Sequence, residues 1–403
     1  MALDVDRYRS EFAVTEASVY LNHASVCAPP RRVCEAMCGA VEDVHRFGVE
    51  HRDRWLEAYE TARSAAARLL NSEACEIAFT KNTSEAISFV ANGLDWRAGD
   101  EVVSVESEFP ANYHPWKVQE RKGVRLILVP EEQGRVALES LVRALTPRTR
   151  VVAISFVQFL SGYRISLEQL GEICATRRIL FFVDAIQGLG AFPVDVKQAK
   201  ISALAADGHK WLLGPEGSGL FFLGKEWLDE IRPSTVGWMS VRGWNDFSCR
   251  DLTWREDARR FEYGTPSTVG IYGLGAALQL LLEVGVDAIA HRILNLTERL
   301  RQGLVDQGHR VYGPSEREEC SGIVSFVPHA RSAEDVVGFL QRQRVLVAAR
   351  CGKVRVAPHF YNTQPEIDRV LELLGSYESL EVSLRRADRD AAPESPTRSR
   401  RRR

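Results

Sequence analysis

Residues 203–219 read ALAADGHKWLLGPEGSG, an apolar run followed by Asp207, His209 and Lys210 and then by a segment rich in glycine and proline. The apolar run is typical of a buried strand, so these polar side chains stand where a strand ends. Lysines are mostly solvated cations. Whether Lys210 is a surface charge or a buried reactive amine therefore depends on what the rest of the chain brings to the same place.

Short apolar runs alternate with helical patterns before and around this stretch. The runs are EIAFT, EVVSVE, RLILVP, VVAISFV, ILFFVDA and ISALAA, and amphipathic segments such as SLEQLGEICATRR lie between them. Apolar strands that alternate with helices indicate a mostly parallel sheet covered by helices on both faces. We therefore predict an α/β fold with a mostly parallel sheet of the seven-stranded type and a smaller α+β lobe.

Changes in the pattern of helix-like, strand-like and charged segments divide the chain into four parts. We expect residues 1–20 to join the smaller lobe and residues 20–265 to form the large α/β domain. Residues 266–382 should supply a linking helix and the small α+β domain, because one long helical stretch precedes the strand-like segments GIVSFVP, VLVAAR and KVRVAPH. The charged, Pro- and Ser-containing residues 383–403 are expected to be a disordered basic tail.

Composition points to an ordinary cytoplasmic protein. The formal charge of −2 gives no field for nucleic acid or a membrane surface, and no apolar run approaches a bilayer span. The first residues do not resemble a signal peptide. Eight scattered cysteines read as reduced thiols, and no Cys/His cluster has metal-ligand spacing, so we expect no metal site.

Polar side chains stand at the ends of several predicted strands, where ligands collect in a parallel α/β sheet. ILFFVDA leads to Asp184 and Gln187, VVAISFVQF leads to Gln158, and EIAFTKNTSEAI leads to Asn82, Thr83 and Ser84. Asn82 with Glu85 also has the form of a helix cap, and a helix N-terminus with hydroxyls can hold a phosphate. No Walker loop or dinucleotide-binding glycine motif is present.

An acid, an amine and a phosphate-type loop at neighbouring strand ends match the needs of pyridoxal 5'-phosphate. That cofactor requires a lysine for its Schiff base, an anion facing the pyridinium nitrogen and a seat for its phosphate. Lys210, Asp184 and the Thr83–Ser84 loop meet these needs together, although each alone has an ordinary structural explanation.

The segments VDAIQ, ADGHKWLLGPEGSG, FEYGTP and VRVAPHFYNTQPEID, in this order, resemble the class V aminotransferases, which are fold-type I pyridoxal-phosphate enzymes. This family includes cysteine desulfurases, selenocysteine lyases and isopenicillin N epimerase-like proteins. The resemblance implies Lys210 as the Schiff-base lysine with His209 before it. It also implies Asp184 at the pyridinium nitrogen and Gln187 at the phenolic oxygen. Thr265, reaching the phosphate from a neighbouring subunit, implies a homodimer with a shared active site.

The resemblance also assigns a stacking residue and a substrate-binding residue. Phe109 occupies the position where desulfurases stack a histidine on the ring, although without the resemblance it is equally explained as core. Arg355 lies where the family binds the substrate carboxylate, and its alternative is a structural ion pair. Asn22 and His23 either close over this pocket or serve a turn.

Two positions depart from the desulfurase pattern. Asp207 replaces a Ser or Thr that touches phosphate, so we expect it to turn away from the phosphate or to engage His209. Cys351 lies four residues before Arg355, which leaves only a tight turn where desulfurases carry a nucleophilic cysteine on a loop.

Three functions remain open at this point. The first is a pyridoxal-phosphate enzyme that acts at Cα or Cβ of an amino acid or amine by transamination, epimerisation or Cβ-elimination. The second is a cysteine desulfurase or selenocysteine lyase that uses Cys351 or an external thiol. The third is a non-catalytic protein that keeps the fold and the cofactor.

Overall fold

The computed structural model describes residues 3–248 and 250–390, with side chains described as far as residue 377. The strands in this part of the chain are β1 (Val19–Tyr20), β2 (Ile77–Thr80), β3 (Glu101–Val105), β4 (Arg125–Val129), β5 (Thr149–Ser155), β6 (Leu180–Asp184), β7 (Ala203–Asp207), β8 (Gly219–Leu223), β9 (Arg310–Tyr312), β10 (Val324–Val327), β11 (Val345–Leu346), β12 (Ala348–Arg350) and β13 (Lys353–Val356).

The helices in the same part of the chain are α1 (Val5–Arg9), α2 (Val14–Ala17), α3 (Arg31–Phe47), α4 (Arg52–Leu70), α5 (Thr83–Gly93), α6 (His114–Lys117), α7 (Leu138–Ala144), α8 (Leu167–Thr176), α9 (Thr268–Val284), α10 (Val286–Asp306), α11 (Ala333–Arg342) and α12 (Gln364–Asp390). Within the described residues, no single helix has the length and apolarity to cross a bilayer. Helices α9 and α10 pass that test only when taken together, and they are bent by 80° at their junction.

The main sheet has seven strands in the order β2-β8-β7-β6-β5-β3-β4. Strand β8 is antiparallel to both of its neighbours, and the other six strands run in one direction. Alternate residues of these strands enter two separate apolar cores, for example Val183 on one face and Phe182 on the other. The sheet is therefore covered on both faces, which confirms the predicted mostly parallel α/β fold.

A smaller four-stranded antiparallel sheet, β12-β13-β10-β9, is built from residues 310–356. Strand β1 pairs with β11 in parallel, so the N-terminal segment joins this part of the chain. A third apolar core lies here and includes Leu21, Phe326 and Val356. We propose the predicted division on this basis: a large domain over residues 20–265 and a small domain over residues 266–382 that also receives residues 1–20.

One boundary differs from the prediction. Helix α12 continues to Asp390, so residues 383–390, predicted to begin a disordered tail, are helical. The reason is local, because LRRAD consists largely of good helix formers and proline is first met at Pro393. The rest of the predicted tail, residues 391–403, lies outside the described residues.

A close backbone approach joins the loop after β6 to the loop after β7. Gly190 has a φ of +94°, and a Cβ there would lie 2.4 Å from the carbonyl oxygen of Trp211, the residue that follows Lys210. No side chain fits this position, so the glycine holds the two loops in contact.

We expect Gly190→Ala to lower the free energy of unfolding by about 2–4 kcal/mol, because it adds a backbone clash to an unfavourable φ. Chemical denaturation of the purified variant measures this loss. Gly217→Ala is the matched control, since Gly217 has a φ of +74° but open space around a Cβ. An equal loss in both variants would mean that the contact with Trp211 contributes nothing.

Candidate active site

The carboxyl ends of the central strands meet at one edge of the main sheet. Asp184 ends β6 and pairs in register with Ser155, the last residue of β5. Asp207 ends the next strand, β7, and Lys210 follows three residues later. The sheet therefore brings the predicted amine and the predicted acid together at this edge.

The amine of Lys210 is held away from water. The residue is 9% exposed, and its burial lowers the pKa to about 8. The nearby carboxylate of Asp184 opposes this shift in the pKa, and the charge of Arg355 reinforces it. With this pKa about a tenth of the amine is neutral at pH 7 and about half at pH 8, and the neutral form is the one that a nucleophile or a base requires.

Asp184 is a buried carboxyl with few hydrogen bonds. Its Oδ1 accepts a hydrogen bond from the backbone N–H of Ile186 at 3.1 Å. Burial raises the pKa of Asp184 to about 6, and Lys210 counteracts part of that rise. A further cationic group beside this carboxyl would favour its ionised form.

The N-terminus of α5 carries a hydroxyl without a protein partner. Asn82 caps the helix by accepting the N–H of Glu85 at 2.9 Å, so the capping role considered for it is present. Thr83 is 4% exposed, and its Oγ1 has no hydrogen-bond partner among the described residues. Ser84 is exposed beside it. Free helix N–H groups next to an unpaired buried hydroxyl are suited to a phosphate.

Asp207 and His209 interact with each other before Lys210. Asp207 Oδ1 accepts the N–H of Gly208 at 2.7 Å, and its Oδ2 lies 3.0 Å from Nδ1 of His209. The contact with His209 is within ion-pair distance but lacks hydrogen-bond geometry, since Nδ1 has no hydrogen-bond partner. Of the two arrangements expected for Asp207, the structure has the one that engages His209.

An aromatic wall stands on one side of the amine. The ring centroid of Phe109 is 5.6 Å from Lys210 Nζ, and Phe109 packs edge-to-face on Phe159 at 5.3 Å. Phe109 is 43% exposed despite this neighbour. The explanation that Phe109 belongs to the core is therefore wrong, and its free face is available to a planar ring.

Arg355 enters the site from β13 of the small sheet. It is 3% exposed, and it donates from Nη1 to the carbonyl of Phe159 at 2.8 Å and from Nη2 to Ser25 Oγ at 2.9 Å. Its Nε has no partner, and no carboxylate in the described residues lies within ion-pair distance of it. The alternative of a structural ion pair is therefore not what the structure has.

Asn22 and His23 take different roles. Asn22 Oδ1 accepts the hydroxyl of Ser25 at 2.8 Å, and Ser25 in turn contacts Arg355, so Asn22 supports the guanidinium indirectly. His23 is fully buried, and its two ring nitrogens contact the carbonyl of Ala357 and the hydroxyl of Tyr361. Burial lowers the pKa of His23 to about 4, so it is a neutral structural residue in this arrangement.

Both predicted glutamines are engaged with the protein. Gln187 donates from Nε2 to the carbonyl of Ala24 at 3.0 Å and accepts the indole N–H of Trp211 at 2.9 Å. Gln158 donates to Glu108 at 3.1 Å. Gln187 thus links the N-terminal segment to the residue that follows Lys210, and its contact with a cofactor stays a prediction.

Thr265 lines a cavity of about 700 Å³ together with Thr80, Lys81 and Ser218. Thr80 and Ser218 are buried there with hydroxyls that have no hydrogen-bond partner in the described residues. The predicted contact of Thr265 with a neighbouring subunit concerns a second chain and stays a prediction.

Glu108, like Ser25 beside Arg355, was missed by sequence reasoning. Its carboxyl is buried and accepts hydrogen bonds from the N–H of Ser155 at 2.7 Å and from the amide of Gln158. The negative charge of Asp184 also acts on this carboxyl and raises its pKa. Burial raises the pKa of Glu108 to about 7. The one sequence signal was its position directly before Phe109, and it did not reveal that the carboxyl points toward the sheet.

Taken together, these side chains fit pyridoxal phosphate. The unpaired hydroxyl of Thr83 suits the phosphate, the free face of Phe109 suits the ring, and the under-bonded carboxyl of Asp184 suits a pyridinium nitrogen. Lys210 supplies a desolvated amine among them. This agreement rests on the geometry of the chain alone.

Comparison with known proteins gives the same answer. The pattern of the family Aminotransferase class-V matches residues 19–370. The chain belongs to the class V aminotransferase family. It is 31% identical over 399 residues to a probable cysteine desulfurase from Pyrococcus abyssi. The alignment covers 94% of this chain and 98% of that protein.

Solved structures of this family superpose on nearly the whole chain. The apo cysteine desulfurase from Thermococcus onnurineus NA1 has a TM-score of 0.85 at 27% identity and covers 95% of this chain and 99% of that one. The cystine C–S lyase C-DES, solved with its product cysteine persulfide, has a TM-score of 0.84 at 25% identity over 90% and 99% of the two chains. Another C-DES structure carries glycine covalently linked to pyridoxal phosphate.

These findings confirm the predicted family, fold and cofactor. This class V aminotransferase is a pyridoxal-phosphate-dependent enzyme, as the sequence predicted. The alternative of a non-catalytic cofactor-binding protein is set aside.

The buried carboxyl of Glu108 should make the stability of the cofactor-free protein depend on pH. Its pKa is raised from 4.5 to about 7, so the fold keeps a proton that the unfolded chain releases in that interval. The wild type therefore loses stability as the pH rises from about 4.5 to 7, whereas Glu108→Gln does not suffer this loss. We expect the variant to gain on the order of 3 kcal/mol relative to wild type across this range.

Urea denaturation of both proteins at pH 5 and pH 8 measures the gain. Glu106→Gln, which removes an exposed carboxylate two residues earlier, is the matched control. A pH dependence of Glu108→Gln that equals that of the control would show that the burial of Glu108 does not perturb its titration.

Proposed function

We propose that this enzyme cleaves the Cβ–sulfur bond of a sulfur-containing amino acid after removing its Cα proton, without forming a persulfide on the protein. The observation that carries this proposal is that one site holds both the buried amine of Lys210 and the buried guanidinium of Arg355, and that this guanidinium has no carboxylate partner among the described residues. The first group can remove a proton, and the second can hold an α-carboxylate.

Pyridoxal phosphate supplies an aldehyde that bonds amines and a ring that accepts electrons from Cα. In our proposal Lys210 would hold the cofactor through Nζ and would accept the Cα proton of the substrate on the same atom. Asp184 would favour the protonated pyridinium nitrogen, and Thr83, Ser84 and the α5 N–H groups would hold the phosphate. His209 and Asp207 fix the backbone that carries the lysine.

Arg355 has the donors that a carboxylate needs. Nη1 and Nη2 each contribute one hydrogen to the protein, which leaves Nε and the remaining Nη hydrogens. A bidentate guanidinium–carboxylate pair would orient the amino acid so that one bond at Cα stands perpendicular to the ring. Ser25 and Phe159 hold the guanidinium in place for this task.

The setting of Cys351 favours cleavage without a protein persulfide. Cys351 and Gly352 form the two-residue loop between β12 and β13, and their φ values are +50° and +69°. Positive φ at both positions defines a type I′ turn, a tight and rigid connection. A thiol on such a turn cannot travel to the substrate as a mobile loop would. The likeness to C-DES, a cystine C–S lyase, supports the same choice.

Cysteine desulfurase activity is the second candidate function. The likeness to the Pyrococcus abyssi and Thermococcus onnurineus proteins favours it, and Cys351 is exposed and free. In this case the thiolate of Cys351, or of an external thiol, would attack the substrate sulfur; the Cβ–sulfur bond would break as the S–S bond forms, and its electron pair would pass to Cβ, which then takes up a proton.

We also propose that the enzyme works as a cytoplasmic homodimer. The seven cysteines in the described residues are free thiols, as in a reducing compartment. A second copy would bring its Thr265 to the phosphate, and the exposed apolar side chains of Phe47 and Val44 on α3 are suited to contact with another chain.

The role of Lys210 can be tested by spectroscopy. The purified enzyme should show visible absorbance that borohydride bleaches while fixing the cofactor to the chain. Lys210→Ala should lose this covalent fixation and at least roughly 10³-fold in turnover, because no other lysine in the described part of the chain is buried. Lys122→Ala, which changes an exposed lysine, is the control. Covalent labelling that persists in Lys210→Ala would refute the assignment.

Cys351→Asn separates cleavage without a protein persulfide from desulfuration by the thiol of Cys351. Asparagine favours the positive φ of this turn, so the variant removes the thiol without loss of the hairpin. We expect sulfur release from cystine and cysteine to stay within about twofold of wild type, measured as pyruvate and sulfide or persulfide. A loss of sulfur release in folded Cys351→Asn would instead establish the desulfurase mechanism.

A further inference from the structure

Two buried histidines lie between the loop that carries Lys210 and the strand that carries Arg355. His23 and His359 are fully buried, and their ring centroids are 5.2 Å apart. Both rings also lie against the indole of Trp211, the residue that follows Lys210, with centroid distances of 6.2 and 5.5 Å. Polar rings inside a core are costly unless their nitrogens are hydrogen-bonded, so the hydrogen-bond partners of the two rings indicate what they hold in place.

His359 is bonded to the loop of Lys210. Its Nδ1 accepts the backbone N–H of Phe360 at 2.8 Å, so the ring hydrogen is on Nε2. Nε2 donates this hydrogen to the carbonyl of Trp211 at 3.2 Å. One imidazole therefore ties the loop after β7 to the segment that follows β13.

His23 is bonded to the strand of Arg355 and has the opposite tautomer. Its Nδ1 lies 2.9 Å from the carbonyl of Ala357, two residues after Arg355, and a carbonyl only accepts, so this nitrogen carries the hydrogen. Nε2 accepts the hydroxyl of Tyr361 at 2.8 Å. Ser25, two residues after His23, accepts directly from the guanidinium. The segment of His23 therefore holds both the backbone beyond Arg355 and its side chain.

Burial keeps both imidazoles neutral. It lowers the pKa of His23 to about 4 and the pKa of His359 well below its ordinary value. The carboxylate of Glu366 opposes this lowering at His23, and that carboxylate is itself paired with Arg9. A neutral imidazole has one donor and one acceptor, so the hydrogen of each ring stays on the nitrogen that faces a carbonyl.

Resting on the proposed function, we propose that His23 and His359 are positioning residues that together set the distance between Lys210 and Arg355. They act through the backbone of Trp211 and Ala357, since both rings are fully buried. A substrate whose α-carboxylate is bound by the guanidinium presents its Cα to the amine only while the two segments keep their spacing. A misplacement of roughly 1 Å can cost about 10²-fold in rate.

Amide substitutions separate the two nitrogens of each ring, because asparagine places its amide near Nδ1 and glutamine places its amide near Nε2. His359→Gln keeps a donor for Trp211, whereas His359→Asn keeps only the contact with the N–H of the next residue. At the other ring His23→Asn keeps a donor for Ala357, whereas His23→Gln keeps only the contact with Tyr361. Each variant loses one of two buried hydrogen bonds, so the two amides at one position are matched controls.

The holoenzyme of each variant is titrated with α-aminoisobutyrate, an amino acid that has no proton at Cα. Binding is followed by the visible absorbance of the cofactor, and sulfur release from cystine gives kcat and KM. We expect His359→Asn and His23→Gln to bind the analogue roughly five- to tenfold more weakly and to lose roughly 10- to 100-fold in kcat. His359→Gln and His23→Asn should stay within about threefold of wild type in both.

Urea denaturation of the four variants separates positioning from stability. A merely structural role predicts that binding and kcat fall equally for both amides at each position, and this result would overturn the inference. So would wild-type binding and kcat in all four variants. If a variant at one histidine does not fold, the two amides at the other histidine give the same comparison.

Both contrary results leave the proposed function standing, because the wild type still binds the analogue and releases sulfur. A wild-type holoenzyme whose spectrum no amino acid perturbs would instead contradict the proposed function itself.

Discussion

Keeping an amine away from water without losing it to a permanent ion pair is the constraint on which the site depends. Burial pushes the pKa of Lys210 down, Asp184 pulls it up, and Arg355 and Arg350 push it down again. A pKa of about 8 for Lys210 requires that all of these groups keep fixed positions, because charge interactions in a poorly solvated site change steeply with distance. A small movement of the lysine loop would alter the fraction of neutral amine.

The chain around Lys210 is accordingly held from several directions. The N–H of Cys27 donates to the carbonyl of His209 at 2.7 Å. The indole of Trp211 donates to Gln187, while the carbonyl of Trp211 accepts from His359 at 3.2 Å and abuts Gly190. These contacts come from the N-terminal segment, the loop after β6 and the segment after β13. Parts of the chain distant in sequence therefore converge on the two residues that flank the amine.

The sequence predicted what depends on local pattern. Alternating apolar runs gave the sheet, and polar residues at the ends of β6 and β7 led to Asp184 and Lys210. Strand β8 was not recognised, since GLFFL follows a Gly/Pro-rich turn and periodicity does not distinguish so short a run. The roles of Glu108 and Ser25 escaped prediction because they depend on contacts with residues 47 and 330 positions away in the same chain. The engagement of Gln187 by Trp211 and Ala24 is likewise a tertiary contact that no local motif reveals.

Under the proposed function, phenylalanine at position 109 would leave proton transfer to one atom. An aromatic ring can stack on a planar cofactor, but Phe109 cannot accept or release a proton. The nearest acid in sequence, Glu108, directs its carboxyl to Ser155 and Gln158 rather than to the open side of the wall. His23 is fully hydrogen-bonded and neutral. Among these groups, Lys210 Nζ alone combines access to the site with a pKa near the pH at which a general base is most effective. Under the proposed function the same amine would hold the cofactor and would accept the proton from Cα, and its pKa depends on several neighbours that keep it partly neutral.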